Sequence, residues 1–157
     1  MNTDERQIRG RHDDLTQQII GVFYDVYNEL GNGFLESVYR EAMRLALIEA
    51  GFSVASEVPI PVEFSGLVIG IFWADLIVND AVLIELKACD GLAREHESQT
   101  LHYLRATRIE VALLMNFGAA PRFKRLVMDN ESKTAKNKSV SSVMIGVKPL
   151  SNAEVLS

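Results

Sequence analysis

The chain has 157 residues, 48% apolar and 24% charged, which suits one α/β domain with its own hydrophobic core. A net charge of −5 argues against a broad, non-specific nucleic-acid surface, because phosphate neutralisation by Lys and Arg dominates such binding. No apolar run approaches the ~20 residues of a membrane helix, the N-terminus lacks a signal-peptide core, and the single cysteine, Cys89, excludes an internal disulfide, so a reducing cytoplasm is the expected compartment.

Residues 1 to 12 mix basic and acidic groups and predict a flexible start. From Leu15, the apolar positions Leu15, Ile19, Val22, Phe23, Val26, Tyr27 and Leu30 fall in steps of three and four, an amphipathic helix. Asp13 or Asp14 can cap its start and Gly31 its end. Nothing polar on it suggests chemistry. After the turn Gly31-Asn32-Gly33, a second helix is expected from about Phe34 to Ala50. Leu35, Val38, Ala42, Leu45, Ala46 and Glu49 mark one side of it, with Glu36, Arg40 and Arg44 on another. Glu36, Tyr39 and Arg40 lie within reach of one another. On spacing alone Glu36 is a solvated carboxylate favoured by the helix dipole, and Arg40 and Arg44 are either an exposed face or phosphate contacts.

Beyond Gly51 the period changes to two: Val54, Val58, Ile60, Val62 and Phe64 alternate with Ala55, Glu57, Pro59, Pro61 and Glu63. This is a strand, and its two prolines place it at a sheet edge because they cannot donate ladder bonds. Ser65-Gly66 turns the chain into a run from Leu67, in which Gly70 is a candidate bulge. The run leads into the stretch Trp73 to Lys87, where the apolar segments Ala74–Val78 and Val82–Leu86 flank Asn79-Asp80 and predict a β-hairpin. Asp75, Glu85 and Lys87 interrupt it. Strand alternation puts Glu85 and Lys87 on one face with Leu83, while Val82, Ile84 and Leu86 take the other. A three-residue loop would set Asp75 directly opposite Glu85; a two-residue loop would offset it by one, onto the wrong face. Trp73, among apolar neighbours, is expected in the core rather than as a base-stacking platform.

Asp90-Gly91 ends the hairpin, and a helix is expected from about Arg94 to Thr107. His96, Gln99 and Tyr103 share one stripe of it, Leu101 and Leu104 mark the buried side, and His102 points elsewhere. Glu110 to Asn116 is a short apolar run after a helix, hence a buried strand and a candidate for parallel pairing. Phe123 to Met128 is a last strand. Arg122, Lys124 and Arg125 form the densest basic patch, readable as a charged edge or as nucleic-acid contact. Composition over 129–157 predicts a flexible polar tail, in which Val140 to Val147 is apolar enough to add an edge strand or dock on a partner. Cys89, with no base partner at a telling spacing, is a packing residue.

Two carboxylates and an ammonium inside hydrophobic strands are costly unless they find partners. They form either an ion pair that specifies register or a site for a hard divalent cation, which takes oxygen ligands from one or two carboxylates.

At these residues the chain resembles the PD-(D/E)XK nuclease core, an Asp followed by Glu-x-Lys on adjacent strands. Asp75 precedes Glu85-Leu86-Lys87, with Ala74 where the family's name has Pro. Gly33-Phe34-Leu35-Glu36-Ser37-Val38-Tyr39 matches the GxxExxY pattern of a small branch of that superfamily, and Gln99 with Tyr103 matches its Q-x-x-x-Y helix. The resemblance covers roughly Leu15 to Val127. It implies an α/β, restriction-endonuclease-like core over residues 13–128, with a central mixed β-sheet flanked by helices. It also implies Mg²⁺ or Mn²⁺ held by Asp75, Glu85, the Leu86 carbonyl and Glu36, with Lys87 orienting or deprotonating water and Gln99 and Tyr103 positioning the strand. The function would be a metal-dependent phosphodiesterase on nucleic acid, metal-activated water attacking the scissile phosphate. The alternatives are a non-hydrolytic binding or assembly module of the same fold, which acidic charge and small size favour, and a hydrolase of a small phosphorylated substrate. A small chain with an edge strand is also suited to a homodimer that spans a duplex.

Overall fold

The computed structural model describes residues 12–136. Two helices come first, α1 (Asp13–Leu30) and α2 (Glu36–Glu49), followed by strands β1 (Val54–Phe64), β2 (Leu67–Val78) and β3 (Val82–Lys87). Helix α3 (Arg94–Arg105) then crosses to β4 (Val111–Phe117), and β5 (Pro121–Val127) and α4 (Asn130–Lys136) complete the described chain. The strands form one sheet in the order β1-β2-β3-β4-β5, antiparallel throughout except for β3 and β4. That one parallel pair follows from the connection, since two parallel strands need a crossover and α3 provides it. The sheet is mixed and its helices lie on both faces, which is the restriction-endonuclease-like α/β architecture expected.

Each face has its own core. Ile19, Phe23 and Val26 of α1 with Tyr39, Met43 and Leu47 of α2 pack on Leu76, Val82, Ile84, Leu86 and the β4 side chains Val111, Leu113 and Met115. On the other face Tyr103 and Leu104 of α3 cover Val58, Ile60, Ala74, Ile77, Leu83 and Ala112. Val82, Ile84 and Leu86 therefore do part from Leu83, as strand alternation requires. The central strand β4 is buried along its whole length, which its unbroken apolar run anticipates.

The first helix starts at Asp13 with His12 before it and no side-chain cap, so Asp13 and Asp14 lie in its first turn instead of capping it, and three larger features differ from the sequence reading. The buried stripe of α2 is Tyr39-Met43-Leu47, with Ala42 and Ala46 beside it, whereas Leu35, Val38 and Leu45 are exposed. The larger side chains at four-residue steps fill the space, and the alanines let the helix approach. Trp73 is not in the core but 57% exposed. The reason is topological: β2 pairs with β3 only from Leu76 to Val78, and before Asp75 it continues as a ribbon with β1 alone. Finally, the polar stretch from Asp129 begins with helix α4, whose Lys133 is buried with its ammonium on the carbonyls of Thr107 (3.0 Å) and Ile109 (2.5 Å). Of the expected flexible start over residues 1 to 12, all but His12 lies outside the described residues, as does the candidate edge segment Val140 to Val147.

The proline-bearing β1 is an edge strand, and the register of the β1–β2 ribbon shifts next to Gly70, where Val62 pairs with Gly70 but Glu63 with Val68. Among the described residues no helix is long and apolar enough to cross a membrane.

Candidate active site

Register sets the site. Leu76 pairs with Ile84, Ile77 with Leu83 and Val78 with Val82, so the hairpin loop is the three residues Asn79 to Ala81 and the next pair would be Asp75 and Glu85. Asn79 and Asp80 both take a left-handed φ of 52°, which their short polar side chains tolerate, and Asn79 is fixed by exchanging bonds with Ser53. At Asp75 and Glu85 the backbone ladder stops and the carboxylates take over. The Asp75 N–H donates to Glu85 Oε1 (3.1 Å), and the Leu86 N–H donates to Asp75 Oδ2 (2.8 Å). In an extended strand a residue's N–H and C=O point to the same side. The Leu86 carbonyl therefore faces the same gap as the two carboxylates.

The gap opens because β1 and β2 change phase here. Ala74 packs with the α3 face while Leu76 and Val78, of the same parity, pack with the α1–α2 face. Opposite Asp75 in the ribbon stands Glu57, between the partners of Ala74 and Leu76, with a left-handed φ of 52°. Such an irregularity resets which side of a strand faces the core.

Glu85 is the electrostatic centre. It is 4% exposed, and burial, then the charges of Asp75 and Glu36, push its carboxyl up to about 8; the Asp75 N–H and the Lys87 ammonium pull the other way. Asp75 also meets Arg40 across 3.2 Å, and the same guanidinium reaches Glu57 at 3.2 Å. Arg40 is thus a structural partner of Asp75, and Arg44 pairs with Glu41 on its own helix. Lys87 is half-buried and has no ion pair among the described residues.

The segment around Glu36 explains its own spacing. Gly33 takes a φ of 111°, open to glycine and strained for other residues. Tyr39, one turn along α2 from Glu36, is fully buried, stacks on Phe117 with centroids 4.1 Å apart, and donates its hydroxyl to the Gly31 carbonyl at 2.6 Å. The Phe34 N–H donates to the same hydroxyl. Tyr39 so staples the turn that starts the helix, and Glu36 is left exposed in the first helical turn, close enough for its charge to act on Glu85.

On the other side, α3 brings Tyr103 beside the carboxylates. Burial, then Glu85 and Asp75, push its phenol up to about 12 against a hydrogen bond with Gln99, so the hydroxyl stays protonated at neutral pH. His96 is drawn into the helix start instead, its Nδ1 accepting the Ala93 N–H at 3.0 Å, and His102 is exposed. The structure brings Asp75, Glu85, Leu86, Lys87, Gln99 and Tyr103 together, with Glu36 at the rim.

Sequence reasoning missed Asn116. It is 1% exposed, and its side-chain amide grips the Cys89 backbone, accepting from the N–H at 3.0 Å and donating to the C=O at 2.9 Å. This fixes the chain two residues past Lys87. Gly118 lies against the same carbonyl, where an added Cβ would come within 2.3 Å. An Asn at the end of an otherwise apolar strand was the available signal.

A family model for the PD-(D/E)XK nuclease superfamily matches residues 13–126. The chain belongs to that superfamily. No curated protein and no solved structure matches the chain. Membership points to a nuclease-type function, to nucleic acid as substrate and to the divalent ions that the superfamily typically uses. The residues present suit such an ion: two carboxylates and a carbonyl are hard oxygen donors, and the burial and the Asp75 charge that raise the Glu85 pKa are both offset by a bound cation. Among the described residues no three His, Cys, Asp or Glu side chains gather into an all-protein metal cage. Mg²⁺ ordinarily needs only one or two carboxylates, water completing its shell.

Proposed function

We propose that this member of the PD-(D/E)XK nuclease superfamily is a metal-dependent phosphodiesterase of the GxxExxY type, acting on nucleic acid. The reading is carried by one observation: Asp75 and Glu85 each accept a backbone N–H from the opposite strand where the ladder ends. Asp75, Glu85 and the Leu86 carbonyl would hold Mg²⁺ or Mn²⁺, with Glu36 contributing from the rim. When bound, such an ion supplies a nucleophilic water at neutral pH and polarises a phosphoryl oxygen.

The chain's own residues do the rest. The Asp75 N–H and Leu86 N–H fix the two carboxylates in place before any ligand arrives, so their geometry costs no reorganisation during the reaction. Lys87, two positions past Glu85 on the same face, orients the attacking water with its ammonium and offsets charge growing on the phosphate oxygens. Tyr103 and Gln99 act as neutral hydrogen-bond donors that align the phosphodiester backbone. Asn116 positions Lys87 by holding the chain at Cys89.

The test is calorimetric titration of Mn²⁺ into the wild type, Glu85→Ala and Lys87→Ala, with the same preparations assayed on single- and double-stranded DNA and RNA. Metal binding lost in Glu85→Ala, with cleavage lost in both variants, is the expected result. Metal binding without cleavage of any substrate would replace the reading with a non-hydrolytic binding module. An absence of metal binding would make the charged hairpin purely structural.

A further inference from the structure

We propose that the substrate strand reaches this centre unpaired, with one of its nucleotides seated in a groove between Phe72 and α3. The inference rests on the nuclease reading and narrows its substrate to single strands or unpaired segments. The groove, of about 560 Å³, is lined by Phe72, Arg94, Glu95, His96, Gln99 and His102 among others. That size suits a small organic ligand. It adjoins the carboxylates through two shared contacts. Gln99 lines it and hydrogen-bonds Tyr103, and the Phe72 ring leans on the Tyr103 ring with centroids 5.2 Å apart.

The chemistry of the lining matches one nucleotide. Phe72 is 36% exposed and presents an aromatic surface to a base. Gln99 and Glu95 offer a donor and acceptors to a base edge. Arg94, which has no ion-pair partner among the described residues, offers a guanidinium to one phosphate.

A duplex would need something else. Its affinity comes from many Lys and Arg contacts to phosphate, and here four of those side chains are held in ion pairs. Arg40 is held by Asp75 and Glu57, Arg44 by Glu41, Lys124 by Glu97 and Arg125 by Asp13. The chain as a whole carries −5. Stacking on an aromatic ring is independent of that charge and shifts affinity roughly tenfold per base. It requires a base outside a duplex stack, and extruding one from a duplex costs free energy that a single strand does not incur.

The experiment measures anisotropy of labelled ten-nucleotide DNA and RNA, single-stranded and as duplexes, on the full chain in Ca²⁺. It compares wild type, Phe72→Leu, Phe72→Ala, Arg94→Gln and, as a control away from the groove, Lys124→Gln. Thermal melting checks that each variant is folded, and Phe72→Leu keeps an apolar contact to Tyr103 while removing the ring. Single strands should bind at least about tenfold tighter than duplexes, and both Phe72 variants should lose roughly tenfold on single strands with an unchanged salt slope. Arg94→Gln should lower the slope of log affinity against log salt by about 0.7, one phosphate contact on a single strand. Duplexes bound as tightly as single strands, no binding of either, or single-strand binding indifferent to the Phe72 and Arg94 variants would each overturn the inference. Cleavage in Mn²⁺ separates it from the reading beneath it. Groove-dependent single-strand binding without cleavage removes the nuclease and leaves the groove; equal cleavage of duplex and single strand, insensitive to Phe72, keeps the nuclease and removes the groove.

Discussion

Glu85 and Lys133 are both buried ionisable side chains, and in both burial drives the group toward its neutral form, each to a pKa of about 8. Their neighbours part them. Around Lys133, two backbone carbonyls accept from the ammonium and the charges of Glu110 and Asp129 favour it, so every nearby group works against the cost of burial. Around Glu85 the largest charged neighbour is Asp75, of its own sign; Lys87 offsets part of that repulsion and Glu36, again of its own sign, adds to it. A compensated buried charge is a fastener. A buried charge whose surroundings repeat its sign is held for something that arrives from outside, and that pattern marks functional sites.

The sharpest way to break this comparison is to remove each charge. Glu85→Gln should cut cleavage on the order of 10²–10³-fold or more, the scale on which a single preorganised electrostatic group acts, while the melting temperature in EDTA at pH 8 stays level or rises as the repulsion disappears. Lys133→Met should do the reverse. It strands the Thr107 and Ile109 carbonyls and should cost roughly 1–3 kcal/mol of stability, with cleavage by the folded fraction unchanged. If Lys133→Met abolished cleavage in a fully folded sample, the division into fastener and site would fail.

pH sharpens it next, because the two groups lean in opposite directions. Glu85 has a folded pKa raised from 4.5 to about 8, so its contribution to stability is fully present below pH 4.5 and lost as pH rises through about 8. Lys133 has a folded pKa lowered from 10.5 to about 8, so its contribution is present above pH 10.5 and lost as pH falls through about 8. Melting curves in EDTA, wild type minus Glu85→Gln, should fall between pH 4.5 and 8; wild type minus Lys133→Met should rise between pH 8 and 10.5. The smallest effect belongs to the basic patch on β5. Lys124→Gln breaks an exposed pair with Glu97 and should change stability by less than about 1 kcal/mol and leave cleavage and its salt dependence as they were. A flattened salt dependence in this variant would make β5 a nucleic-acid surface after all.

The sequence carried the outline of both the fold and the site because the relevant signals are local. Helical steps from Leu15, the prolines at positions 59 and 61, and the apolar run at 111–115 each reflect a constraint contained within one element. Asp75 and Glu85 were legible for the same reason, since a hairpin makes their separation a matter of counting. What stayed hidden depends on contacts between distant segments. Trp73 has core-like neighbours in the chain, but its exposure depends on where β3 stops pairing with β2. Arg40 finds Asp75 across 35 residues, and Lys133 finds Thr107 across 26, with no periodicity to announce either. Asn116 completes an apolar strand and shows its purpose only when the Cys89 backbone lies beside it.

The loop from Asn79 to Ala81 has a consequence for how this chain can vary. It contributes no site residue, yet its length decides which face Glu85 and Lys87 occupy relative to Asp75. Losing one residue there would shift β3 by one step, turn both side chains toward the α1–α2 core and bring Leu86 round in their place. The chemistry is therefore guarded against insertions and deletions far more strictly than against substitution. Asp80 can drift among residues that tolerate a left-handed turn, while a lineage that changed the spacing would lose the site in a single event and keep every residue that composes it.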